Sequence, residues 1–134
     1  MAVKLVSEQE INVGEAIVVE GAFPTPPFVV VFEDDRETGY FYAMDLSRTD
    51  NPIVDALQIY DVASVTDKHL PSKIKLVWSQ DDQKAALLIN DYPHAIFDFT
   101  ARRGYCRSGF PPPAKDGWTE YGHEWDDTAE DLFH

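Results

Sequence analysis

The sequence predicts a mainly β fold: an antiparallel meander forming a curved sheet or partly open barrel of seven or eight strands, with a short C-terminal helix or ordered tail. Three observations carry that expectation. The run Lys73–Arg107 is a meander written almost continuously, with apolar stretches of strand length separated by polar turns. Residues 28–46 repeat the pattern as a hairpin. Helical periodicity is nearly absent, and the 134 residues suit one domain spanning 1–134.

The elements follow in order. Ala16–Glu20 is a β-branched run and reads as a first strand. Pro24, Pro26 and Pro27 make the next segment a loop, because proline has no amide donor and a fixed φ. Phe28–Glu33 is apolar up to its last residue and suits a strand covered on both faces, and Tyr40–Leu46 returns beside it. Asp50-Asn51-Pro52 resembles a helix start, so a single helical turn is expected over 52–56, followed by a strand near 57–65. In the meander, Lys73 and Lys75 alternate with Ile74, Leu76 and Trp78, placing one face in water. Lys84–Ile89 is apolar on both faces from Ala85 onward, as a central strand is. His94–Phe99 divides by parity: Ala95, Phe97 and Phe99 face one way, and His94, Ile96 and Asp98 the other. Gly104–Arg107 reads as an eighth strand. Beyond Gly109 the chain turns to proline, acids and scattered aromatics, and Asp126–Phe133 suits a short terminal helix.

Charge narrows the function classes. The formal net charge is −13, and residues 1–46 and 116–134 carry a net of −7 each. The last stretch has no lysine or arginine. A field of this sign repels phosphate backbones, which argues against nucleic acid and favours a basic protein partner or a cation, with plain solubility as the bland alternative. No stretch is long and apolar enough to span a bilayer, and the first ten residues lack the apolar core of a signal peptide. The expectation is a cytoplasmic protein without a membrane partner. Its single cysteine, Cys106, rules out an internal disulfide.

No phosphate loop, nucleophile elbow, paired-histidine motif or cysteine pair is present, so no catalytic residue, metal or cofactor is assigned. The residues able to carry chemistry gather at Asp91, Tyr92, His94, Asp98, Arg102, Arg103 and Arg107, which together make a candidate binding region. His94 and Asp98 share a face, yet their Cα atoms lie about 13 Å apart at the usual strand rise, too far for a dyad. The bland alternative is a turn histidine and an aspartate paired with a cross-strand lysine. Arg102, Arg103 and Arg107 suit a carboxylate or phosphate, or else they hold the chain's own acidic tail. Cys106 lacks an evident base and reads as a small buried residue. Trp118, Tyr121 and Trp125 need a partner, and packing of the tail onto the sheet supplies one.

Within Trp78–Arg107, and most specifically in Asn90-Asp-Tyr-Pro-His-Ala-Ile-Phe-Asp-Phe99, the chain resembles an uncharacterised bacterial family, a domain of unknown function. Asp55–Val62 resembles it too. The resemblance implies bacterial origin and transfers no active-site or binding residue. Two functions remain in competition. One is a non-catalytic interaction protein of acidic surface, in a docking or immunity-type role. The other is a small-ligand or anion-binding protein, or an enzyme, with its site in 91–107. A homodimer formed by pairing of sheet edges is a third arrangement.

Overall fold

The computed structural model describes residues 3–22, 28–66, 68–80, 83–108 and 124–125. Nine strands run in chain order: β1 Val3–Ile11, β2 Ile17–Ala22, β3 Phe28–Asp34, β4 Thr38–Asp45, β5 Ile53–Asp61, β6 Ser72–Ser79, β7 Lys84–Ile89, β8 Tyr92–Asp98 and β9 Arg103–Cys106. They form two antiparallel sheets. One has five strands in the order β1-β6-β7-β8-β9, and the other has four in the order β2-β3-β4-β5. The helical content is one 3₁₀ turn, Val62–Ser64, among the described residues. The expected terminal helix lies outside them. No helix among the described residues is long and apolar enough to cross a membrane.

The sheets pack face to face, and strand alternation fills the space between them. The four-stranded sheet contributes Val19, Val30, Phe32, Phe41, Ala43 and Leu57. The five-stranded sheet contributes, among others, Leu76, Trp78, Leu87, Phe97 and Phe99. The parities expected in the meander hold. Ile74, Leu76 and Trp78 are fully buried, and so are Ala95 and Phe97. β7 is the middle strand of its sheet and is covered on both sides: Ala85 and Leu87 face the main core, and Ala86 faces a second cluster with Val77 and Ile96. Gly21 permits close approach of the sheets, because a Cβ there would lie 2.9 Å from Leu76 Cδ1.

The two sheets meet edge to edge without closing. At one side β1 runs beside β2, and the Ser7 hydroxyl donates to the Glu20 carbonyl. At the other side β5 runs beside β9. There the Cys106 thiol (3.2 Å) and the Ser108 hydroxyl (2.6 Å) both donate to the Gln58 carbonyl.

Two segments differ from expectation. β1 adds a ninth strand that apolar patterning does not announce. It is an edge strand whose outer half pairs by charge, with Glu8 opposite Lys75, Glu10 opposite Lys73, and Lys73 Nζ 3.5 Å from Glu8 Oε1. The strand expected near 57–65 instead runs over Ile53–Asp61, with no helical turn over 52–56, and Val62–Ser64 form the 3₁₀ turn. Asn51 Oδ1 accepts from the Ile53 amide at 3.1 Å, closing an Asx turn, and the Pro52 carbonyl accepts from the Asp45 amide at 2.8 Å. Asn51 and Pro52 thus start a strand, since the same side-chain acceptor serves a turn as readily as a helix cap.

Candidate functional site

The turn between β7 and β8 positions most of the residues singled out in the sequence. Asn90 and Asp91 both have positive φ, 52° and 66°, and connect Ile89 to its partner Tyr92 in a two-residue hairpin turn. Asn90 Oδ1 accepts from the Lys73 amide at 2.9 Å, which ties the turn to β6. Asp91 pairs with Lys75 on the same neighbouring strand. The ammonium holds the Asp91 carboxyl below its ordinary range, and Asp91 raises Lys75 in return. Pro93 sits where the register shifts: Leu88 pairs with Pro93, and Leu87 with Ala95. A proline fits there because a bulge has no ladder bond for it to miss.

That bulge and the end of β9 bring three of the predicted residues together. The Tyr92 and His94 rings meet edge to face at 5.6 Å. The Arg107 guanidinium lies over the Tyr92 ring at 4.4 Å, and its Nε donates to the Pro93 carbonyl at 2.7 Å. Its charge reaches His94. Burial first, and then Arg107, hold the His94 pKa below its ordinary value of 6.5. Trp125 completes the group. Glu124 makes a parallel bridge with Cys106, and the Trp125 ring takes Arg107 at 4.1 Å. The expected internal packing of the tail is therefore present at Trp125, by cation–π stacking. Trp118 and Tyr121 lie outside the described residues.

The other predicted residues go elsewhere. Asp98 is buried at the far end of β8, opposite Lys84 in register, and its Oδ1 accepts from the Thr100 and Ala101 amides at 3.0 Å. It caps the β8–β9 turn. Arg102 occupies a positive-φ position (55°) of that turn, and Arg103 stacks over Tyr105 at 4.5 Å. Cys106 points inward and is 1% exposed, as its parity implied. His94, Asp98 and Cys106 thus occupy three separate environments. No group of three or more His, Cys, Asp or Glu side chains suited to a metal gathers among the described residues.

The sequence reading missed Asp34. Its side chain is 1% exposed and accepts three hydrogen bonds, from the Gly14 amide (2.8 Å), the Arg36 amide (2.8 Å) and the Tyr60 hydroxyl (2.6 Å). Burial, and then the Asp34 carboxylate, push the Tyr60 pKa upward. Gly39 makes room for this pair, since a Cβ there would lie 2.6 Å from Tyr60 Cζ. In the sequence, Asp34 opens a run of polar turn residues and looks solvated. The informative signal was Tyr60 at the end of an alternating strand. Beside this anchor lies a shallow open depression lined by Arg36, Glu37, Thr38, Gln58, Asp61, Val62 and Ala63. It includes none of the residues expected to bind.

A bacterial family described as "Uncharacterized protein conserved in bacteria (DUF2251)" matches residues 11–134. The chain belongs to that family. The segment carrying the resemblance, Asn90–Phe99, is the turn and strand that assemble the Tyr92–His94–Arg107 group. This DUF2251 protein is 48% identical over 86 residues to an uncharacterized protein of Haemophilus influenzae, covering 64% of this chain and 53% of that protein. The chain thus spans about half the length of that curated relative. No solved structure matches.

Proposed function

We propose that this DUF2251 protein is a non-catalytic interaction protein whose acidic surface docks onto a basic protein partner. One observation carries the reading. Among the described residues, those best able to do chemistry are largely engaged in holding the fold, while 24 acids against 11 lysines and arginines leave a net charge of −13. Asp98 caps a turn, Cys106 packs in the core, and Arg107 clamps Trp125 against Tyr92. Like charges at this density oppose compactness and favour association with an opposite field. The test is affinity capture by the full chain from bacterial lysate at about 0.05 M and about 0.3 M salt, with reciprocal tagging of whatever is captured. A basic partner retained at low salt and weakened at the higher supports the reading. Absence of any reciprocal partner at either salt sinks it.

A second reading is favoured by one specific feature. Tyr92, His94 and Arg107 do come together, and a guanidinium beside a half-buried imidazole suits a small anion. Titration of the ¹⁵N-labelled chain with inorganic phosphate distinguishes the two: saturable shifts at His94 and Arg107 favour the anion site, and unchanged resonances count against it.

A further inference from the structure

The two sheets do not share their charges. β2, β3, β4 and β5 contain Glu20, Glu33, Asp34, Asp45, Asp55 and Asp61, with no lysine, arginine or histidine. The five-stranded sheet holds Lys4, Lys73, Lys75, Lys84 and Arg103 against Glu8, Glu10 and Asp98. Strand alternation turns Val18, Glu20, Val31, Glu33, Tyr40 and Tyr42 to the outer side of the four-stranded sheet, because their neighbours Val19, Val30, Phe32 and Phe41 are in the core. Register places Glu33 between Val18 and Tyr40, and Val31 between Glu20 and Tyr42. The tyrosine rings stack at 5.7 Å with 10° between their planes, and the Tyr42 hydroxyl donates to Glu33 Oε1 at 3.3 Å. Val18, beside Glu33, is 54% exposed.

We infer that this outer face is the docking surface, and that it takes an arginine-bearing segment of a basic protein. One guanidinium lies over the Tyr40–Tyr42 pair and bonds to Glu33, and a second cation pairs with Glu20. The inference rests on the docking reading above and deepens it. The opposite sheet shows the completed form of the arrangement. There Arg103 roofs Tyr105, and Arg107 roofs Tyr92 and Trp125. The Tyr40–Tyr42 face offers the same aromatic surface with carboxylates beside it, and among the described residues no cation lies over it. Charge excludes the other occupants. Residues 116–134 contain no lysine or arginine, and Glu124 bridges Cys106 of β9 on the other sheet. A second copy brings another −13. Arginine is favoured over lysine because a planar guanidinium stacks on a ring and still presents its fork to a carboxylate.

The ¹⁵N-labelled full chain is titrated at low salt with a blocked ten-residue peptide alternating arginine and serine, and with its lysine and citrulline counterparts. The expected result is shifts at Glu20, Val31, Glu33, Tyr40 and Tyr42, with the arginine peptide tightest and the citrulline peptide silent. The variant Tyr40→Ala/Tyr42→Ala weakens the arginine peptide about fivefold. Glu33→Gln, which keeps the side chain's shape, weakens it as well, and circular dichroism verifies that both variants fold. If the peptide instead moves residues 116–134, and these variants bind like the parent, the face is wrong while the acidic docking reading stands. If neither cationic peptide binds, both readings fall. If the face resonances depend on protein concentration without peptide, a second copy occupies it and the inference is overturned.

Discussion

The two sheets use aromatic side chains in opposite ways. On the outer side of the five-stranded sheet, Arg103 and Arg107 cover Tyr105, Tyr92 and Trp125, so the aromatic surface is satisfied within the chain. On the outer side of the four-stranded sheet, Tyr40 and Tyr42 stack on each other beside Glu33. Inside the fold the roles reverse. The five-stranded sheet presents an almost wholly apolar inner face, whereas the four-stranded sheet carries the buried Asp34 and its Tyr60 partner at its margin. One sheet has its outer aromatics covered by arginines of the same chain. The other holds itself with a polar anchor and leaves an acidic aromatic face outward. On the docking reading proposed above, cohesion and recognition fall on separate sheets of a single core.

The largest expected effect breaks the anchor of the four-stranded sheet. Asp34→Ala leaves the Gly14 and Arg36 amides and the Tyr60 hydroxyl without their acceptor. An unsatisfied buried group costs about 1–3 kcal/mol, and these three donors are only part-buried, so a total of about 2–3 kcal/mol is expected in urea unfolding. Asp34→Asn, which keeps one oxygen acceptor, should lie between the parent and alanine. A loss below about 1 kcal/mol for the alanine variant would show that the anchor is dispensable. Gly39→Ala tests the same corner from the packing side. The new methyl meets the Tyr60 ring at 2.6 Å, and overpacking of this kind costs about 1–3 kcal/mol.

The matching change on the five-stranded sheet is smaller. Arg107→Ala removes a stack on two rings and a hydrogen bond to the Pro93 carbonyl. About 1–2 kcal/mol is expected, with Trp125 becoming accessible to an aqueous fluorescence quencher. Arg107→Lys should recover only part of it, because an ammonium cannot lie flat between the rings. Full recovery by lysine would mean that charge alone holds the tail, and the contrast between the two outer faces would lose its basis.

Much of this architecture was legible in the sequence, and the failures have physical causes. β6, β7 and β8 were readable because alternation and turn chemistry agree there: Ile74, Leu76 and Trp78 on one face, and Asn90-Asp91 at a position that demands positive φ. β1 was not, because an edge strand takes its pairing from backbone bonds and from Glu8 and Glu10 opposite lysines, leaving little apolar pattern. Asn51-Pro52 misled because the same pair opens either a helix or a strand. The meeting of Tyr92, His94 and Arg107 depends on the bulge at Pro93, a register shift that period-two counting does not foresee. Asp34 was invisible because its partners, Gly14 and Tyr60, lie 20 and 26 residues away.

The smallest effect separates the two outer faces by pH. His94 titrates below 6.5 in the folded chain, because burial and the Arg107 charge both disfavour the imidazolium. The unfolded chain then binds more protons than the folded one near and below that value. The contribution is fully present above 6.5 and is lost as pH falls through the lower folded value. Asp91 and Asp35 have folded pKa values below 3.8, so their contributions persist above that pH and are lost in more acidic solution. The His94 window is thus separable from theirs. Urea midpoints measured from about pH 7.5 down to about pH 5 should fall for the parent chain and fall less for His94→Gln. Arg107→Ala should also flatten the dependence, because it removes the second cause of the depressed pKa, whereas Glu33→Gln, on the other sheet, should leave it unchanged. If the slope is the same in the parent and His94→Gln, the imidazole is not held neutral by this packing, and the five-stranded sheet's outer face is more open to water than the Arg107–Trp125 stack requires.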